Sequence, residues 1–186
     1  MKIFFDTEFT GLHKNTTLIS LGMIAEDGRT FYAEFLDYDN LQIDDWIRDN
    51  VIVNLKYRTC IENWCNENTE NFECVGYSYK IRQWLKEWLE VYETVELVSD
   101  CCHYDMVLFI DIFGDAFCIP SYVNPVCHDI NQDIAKRFMI TEREAFDLSR
   151  EALLKAYVES NIIEGDKHNS LYDAKVIREI YKIVNT

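Results

Sequence analysis

Four acidic residues stand where packing would favour hydrocarbon. Asp6 and Glu8 are two apart in IFFDTEF. On a strand they share one face, roughly 7 Å apart along it. Their neighbours Ile3, Phe4, Phe5 and Phe9 imply that both faces of that strand are covered. Like charges side by side away from water raise each other's pKa and cost stability, so a cation is expected to offset them. The alternative is an edge strand with one wet face. Asp105 repeats the pattern in HYDMVLFIDIFG. Leu108, Phe109 and Ile112 follow it at helical spacing, which places it on a buried stripe, while Asp111 and Asp115 fall off that stripe. Asp100, at the end of the preceding strand, is its rival. Asp173 heads a third stripe made by Val176, Ile177, Ile180 and Val184. Each helix acid also has a local alternative, as a partner of the N-terminal dipole or a capping-box acid. His168 precedes Asp173 in the loop leading into that helix; alone it reads as an exposed loop histidine.

Taken together, four acids and a histidine sit at the ends of a strand and two helices and aim inward. Oxygen-only ligands favour Mg²⁺ or Mn²⁺. Two such ions, roughly 3.5–4 Å apart, activate a water and stabilise a leaving oxygen in line, which is phosphodiester hydrolysis chemistry. A loop histidine beside them is a natural general base.

The elements that must hold these groups are an α/β set. Strands are expected at 2–9, 16–26 and 29–36, the last two joined by an Asp27-Gly28 turn, giving an antiparallel meander. A short helix is expected at about 43–50. The polar, Asn-rich stretch within 37–75 carries no readable period and is left unplaced. Ser78 is the expected N-cap of a helix over 79–92 that buries Ile81, Trp84, Leu85, Trp88 and Leu89. A strand at 94–99 and a helix at 103–113, ended by Gly114, follow. Pro120 and Pro125 bracket a loop with a short strand near Val126, and a short helix is expected over 129–138. Thr141 with Glu144 forms a capping box for a helix over 142–158. The polar loop ESNIIEGDKHN leads to a terminal helix at 171–184, with Ser170 and Asp173 as a box-like start. This order predicts one mixed sheet with helices packed on it.

Composition narrows the partners. The chain has 186 residues and a formal charge of −15, which excludes broad-face binding of duplex DNA by counterion release and disfavours an anionic membrane. Any nucleic acid must be handled locally, with metal cations offsetting the protein's own charge. No apolar run approaches the roughly 18 residues of a membrane span. The start MKIFFDTEF carries two acids and is not a signal peptide. Seven cysteines, an odd number without a CxxC pair, read as free thiols in a reducing cytoplasm. Two basic-aromatic clusters, Lys56-Tyr57-Arg58 and Tyr79-Lys80 with Arg82, read as solvated faces rather than a nucleic-acid path.

The motifs resemble the DEDDh class of 3′–5′ exonucleases in the ribonuclease H-like superfamily. Asp6-Thr7-Glu8-Phe9-Thr10-Gly11-Leu12 is similar to that class's D-x-E-x-T-G-L. Tyr104-Asp105 resembles its aromatic-Asp pair after a strand, and His168-Asn169-Ser170-Leu171-Tyr172-Asp173 its H-x(4)-D, all in order along the chain. Within the class, FFDTEF, YDMVLFIDIFG and HNSLYDA look most like small stand-alone exoribonucleases of the polyadenylate-trimming, RNase AS type. The resemblance implies a ribonuclease H-like fold and a single exonuclease domain over 1–186. It implies a metal-dependent 3′–5′ exoribonuclease acting on single-stranded RNA 3′ ends and releasing 5′-nucleotides. Asp6, Glu8, Asp105 and Asp173 would hold two Mg²⁺ (or Mn²⁺) ions, His168 would take a proton from the attacking water, and Phe9 and Leu12 would contact the terminal bases or sugars. A homodimer is also implied. One departure is Cys101, where many relatives carry Asn four residues before the middle Asp. The rival functions are a DNA exonuclease of the same class and a non-enzymatic acidic binding module, whose carboxylates would be surface charge.

Overall fold

In the computed structural model, which describes residues 1–66, 68–157 and 163–186, the chain opens as the expected meander. β1 (Lys2–Phe9), β2 (Leu18–Ala25) and β3 (Thr30–Phe35) pair antiparallel in sequence order. Gly28 supplies the positive φ, 97°, that the tight β2–β3 turn requires. Two further strands lie in the stretch that periodicity could not place. β4 (Trp64–Cys65) and β5 (Asn71–Gly76) extend the sheet beyond β3, with β5 parallel to β3. Their connection is held by side chains standing in for backbone: Asn66 Oδ1 accepts from the amides of Asn68 and Glu73, and its Nδ2 donates to the Asn71 carbonyl.

On the other side, α2 (Ser78–Leu89) crosses to β6 (Val95–Ser99), and α3 (Cys102–Phe113) crosses from β6 to β7 (Val123–Asp129). β6 is parallel to β1, and β7 to β6, so the seven strands run in the order β4-β5-β3-β2-β1-β6-β7. β7 is longer than the short strand expected near Val126; it tolerates Pro125 because it is an edge strand.

Alternation along β1 sends Ile3 and Phe5 into one core with α2 and α3. Phe4 enters a second core with α4 (Ile130–Phe138) and α7 (Ser170–Val184) on the opposite face. Asp6 and Glu8 follow Phe4 in the alternation and so lie on the α7 side. A third, small cluster seats α1 (Asp45–Asn50) through Ile47 and Val51 against Ile19 of β2.

Three local expectations are corrected. Ser78 is the first residue of α2, not its cap. Asp37, distant in sequence, accepts from the Ser78 amide and hydroxyl at 3.0 and 2.9 Å. The helix expected over 142–158 is two helices, α5 (Glu142–Asp147) and α6 (Arg150–Tyr157); the Thr141–Glu144 capping box is present, and Val158 lies outside the described residues, as does part of the following loop. Asn169, not Ser170, caps α7, its side chain accepting from the Tyr172 amide at 3.2 Å. The seven cysteines are free thiols, and no helix among the described residues is long and apolar enough to cross a membrane.

Candidate active site

The C-terminal half of β1 meets the starts of α3 and α7 at one end of the sheet. The close approach of α7 depends on Gly22, which pairs with Asp6 across the β1–β2 ladder. A Cβ at Gly22 would stand 2.1 Å from the Leu171 amide nitrogen, so only glycine lets the first turn of α7 rest on the strand. The buried Ser20 and Ser170 hydroxyls, 3.0 Å apart, fix the same contact. Asp173, one turn into α7, is thereby brought beside Asp6 and Glu8.

Asp105 reaches the cluster from the first turn of α3. It is 1% exposed, accepts from the Thr7 hydroxyl at 2.6 Å and also accepts from the Ser99 hydroxyl. Carboxylate or imidazole atoms of Glu8, His168 and Asp173 lie within 4.8 Å of one another, as do those of Asp6, Asp100 and Asp105. All five sequence-predicted polar residues therefore converge.

Every acid in that group is held above its ordinary pKa. Burial is the leading cause for Asp6, followed by repulsion from Asp105, Asp173 and Glu8. Burial and the charges of Asp173 and Asp105 push Glu8 to about 8. Burial lifts Asp105 and Asp173 to about 7 each, against the pull of their hydrogen bonds. Among the described residues, none of these four carboxylates forms a salt bridge. Four crowded carboxylate groups without a salt bridge to a cationic side chain are a donor set suited to hard divalent cations.

His168 has a left-handed backbone, φ 63°, and its amide donates to Asp173 Oδ2 at 2.8 Å. Its ring stands edge-on to Trp46 at 5.2 Å, and burial, followed by the charge of Lys167, lowers its pKa. The imidazole is thus neutral near neutral pH and able to accept a proton. The cleft around the acids has a volume of about 540 Å³, and Lys167 and Arg150 also face it.

Beside Glu8 lies an apolar cleft of about 350 Å³, lined by Phe9, Leu12 and Trp46. Leu12 is 75% and Trp46 55% exposed, while Phe9 is half-buried and stacked on Tyr104 at 5.2 Å and 12°. The Thr10 hydroxyl ties the two sides together: it donates to Gln42 Oε1, in the turn before α1, and lies 3.3 Å from the Thr16 hydroxyl.

Comparison with known proteins agrees with this arrangement. The nuclease domain of 3′hExo, a DEDDh family member solved bound to rAMP, superposes with a TM-score of 0.62 at 15% identity, over 99% of this chain and 90% of that one. Pop2p of S. pombe, solved with Mg²⁺ and Mn²⁺ bound, gives 0.62 at 12% identity, over 99% and 82%. The chain carries the ribonuclease H-like fold of DEDDh nuclease domains. A 3′–5′ exoribonuclease of Mycobacterium tuberculosis, present in two strains, is 28% identical over 134 residues, which is 71% of this chain and 73% of the relative. No family model matches the chain.

Within this DEDDh-type fold, three residues of the site escaped sequence reasoning or were ranked below others. Asp100 joins the cluster, but Arg150 already pairs with it at 2.9 Å, which separates it from the unpaired Asp105. Arg150 also donates to Asn131 and to the Ala145 and Leu148 carbonyls, fastening the α5–α6 corner to the end of β6. Trp46 gave no sequence signal because it is an exposed aromatic in a short helix. Cys101, where the sequence resemblance led to an expected Asn, lines the cleft with a thiol that burial and the nearby Asp105 and Asp100 push up to about 12.

Proposed function

We propose that the chain is a metal-dependent 3′–5′ exoribonuclease that hydrolyses phosphodiester bonds at single-stranded 3′ ends and releases 5′-nucleotides. The observation that carries this reading is the convergence of Asp6, Glu8, Asp105 and Asp173, unpaired and raised in pKa, beside a neutral His168. Asp6, Glu8, Asp105 and Asp173 would hold two Mg²⁺ or Mn²⁺ ions, which when bound supply water activation and charge neutralisation at the leaving oxygen.

The chain's own groups do the rest. His168 Nδ1 or Nε2 takes the proton of the attacking water, its ring held by Trp46 and its backbone by Asp173. Thr7 and Ser99 keep the Asp105 carboxylate in place. Phe9, Leu12 and Trp46 offer apolar and aromatic surface to the terminal base and sugar. With a net charge of −15, the protein must grip its substrate mainly through the metals and stacking rather than through a broad basic face. RNA is favoured over DNA by the Mycobacterium tuberculosis relative, a 3′–5′ exoribonuclease. The same reading includes one exonuclease domain over 1–186, a reducing cytoplasmic setting for the free thiols, and a homodimer, which sedimentation would check.

A nuclease time course with 3′- and 5′-labelled RNA and DNA, in Mn²⁺ or EDTA, tests the proposal. The expected result is metal-dependent shortening from the 3′ end, faster on RNA. Preference for DNA would move the assignment to a DNA exonuclease, and no cleavage of either strand would overturn it in favour of an acidic binding module.

A further inference from the structure

A third groove, of about 320 Å³, runs along α3 on the far side of the Phe9–Tyr104 stack. Its opposite wall is the turn that follows Thr10-Gly11-Leu12. The groove gathers His13, Lys14 and His103, so two of the chain's four histidines and one lysine meet at one place on a protein of net charge −15. The turn is braced: the His13 amide donates to the Gly11 carbonyl at 2.9 Å, and the Thr16 amide donates to the His13 carbonyl at 3.1 Å. Lys14 is exposed and, among the described residues, has no carboxylate within 4.0 Å.

In the basic-aromatic clusters evident in the sequence, Arg58 is likewise exposed and without a carboxylate within 4.0 Å among the described residues, but the other basic side chains are engaged. Lys56 is paired with Glu73 at 2.5 Å, Lys80 bonds Gln83 and lies over the Trp84 ring, and Arg82 donates to the Ile112 carbonyl. The groove beside α3 is also joined to the candidate active site. Tyr104 lines it and stacks on Phe9, which lines the apolar cleft next to Glu8.

We propose that this groove is an upstream subsite for the RNA strand, in which Lys14, His13 and His103 hold a backbone phosphate on the 5′ side of the scissile one, which a dinucleotide lacks. The inference rests on the exoribonuclease reading. Lysine ammonium and imidazole N–H groups are donors matched to phosphate oxygens. Tyr104 and Val107, which is 63% exposed, offer the ribose or base a non-polar surface. Asp111 lines the other end of the same helix face and repels a phosphate, so the anion seats towards the first turns of α3.

The test compares a twelve-nucleotide RNA with a dinucleotide as substrates for the full chain and for Lys14→Glu. The subsite predicts that kcat/KM for the longer RNA falls about tenfold relative to the dinucleotide, and that the slope of log affinity against log salt shrinks by about 0.7 for one lost phosphate contact on a single strand. Equal losses on both substrates, or no loss on either, would overturn it. Fluorescence polarisation of the same RNA separates this inference from the catalytic reading. If the unaltered protein cleaves neither substrate, the exoribonuclease reading fails. Weaker RNA binding by Lys14→Glu with a shallower salt slope would still support the phosphate contact, and identical binding by the two proteins would refute it.

Discussion

Two buried acidic regions lie on strands of one sheet, β3 and β1, with β2 between them, and are treated in opposite ways. Glu34 of β3 is 3% exposed, and its carboxylate accepts from the Tyr32 hydroxyl at 2.7 Å and from the Lys56 and Tyr57 amides at 2.6 and 3.1 Å. Burial raises its pKa, and those donors pull it back. In β1, the Asp6 and Glu8 carboxylates face other acids instead, and their pKa values rise through burial and mutual repulsion together. Glu34 is a brace that pins the chain at 56–57 to the sheet. The β1 acids form an incomplete site, stable only when a cation or protons balance it. Burial of a single acid therefore does not set the β1 cluster apart; the crowding of several buried acids with no salt bridge among the described residues does.

The largest expected effect that would break this contrast is on Asp6. Asp6→Asn should lower RNA cleavage by about 10³-fold or more, the scale on which transition-state charge stabilisation acts, while the fold survives. Steady-state cleavage and circular dichroism check both halves; retained metal-dependent cleavage would remove Asp6 from the machinery. His168→Ala should lower kcat by about 10²–10⁴-fold, as expected for loss of a general base. An unchanged rate would take His168 out of that role.

Glu34→Gln should behave in the opposite manner. It loses charge-assisted hydrogen bonds and about 1–3 kcal/mol of stability, measured by urea unfolding, while cleavage per folded molecule persists. The smallest effect concerns pH. Glu8 sits at about 8 against an ordinary 4.5, so the folded chain keeps a proton that the unfolded chain has released. The stability this gives is full below the ordinary value and is lost as pH rises towards 8. In EDTA, the melting temperature should therefore fall by several degrees between pH 5 and pH 8. A melting temperature that rises over that window would contradict the description of the cleft.

Much of the site was legible because its signals are local. The spacing of Asp6 and Glu8 in one strand, and the positions of Asp105 and Asp173 on apolar helix stripes, need no tertiary information. The meander and most helices follow from the same periodicities. What stayed hidden depends on contacts between distant segments. Glu34 in TFYAEF reads as the polar face of a half-buried strand until residues 56–57 cover it. Asp100, the rival of Asp105, is taken up by Arg150, fifty residues later. Gly22 looks like an ordinary strand glycine until α7 rests on it. β4 and β5 were missed because Asn66 and Asn68 close their connection with side-chain bonds that leave no apolar period.

The most direct test of the central claim is thermal unfolding at pH 8, in Mg²⁺ and in EDTA, of the unaltered chain, Asp6→Asn and Glu34→Gln. The account predicts that Mg²⁺ raises the melting temperature of the unaltered chain and of Glu34→Gln, and that Asp6→Asn loses most of that rise while melting higher than the unaltered chain in EDTA. Equal responses to Mg²⁺ in all three proteins, or none in any, would contradict it.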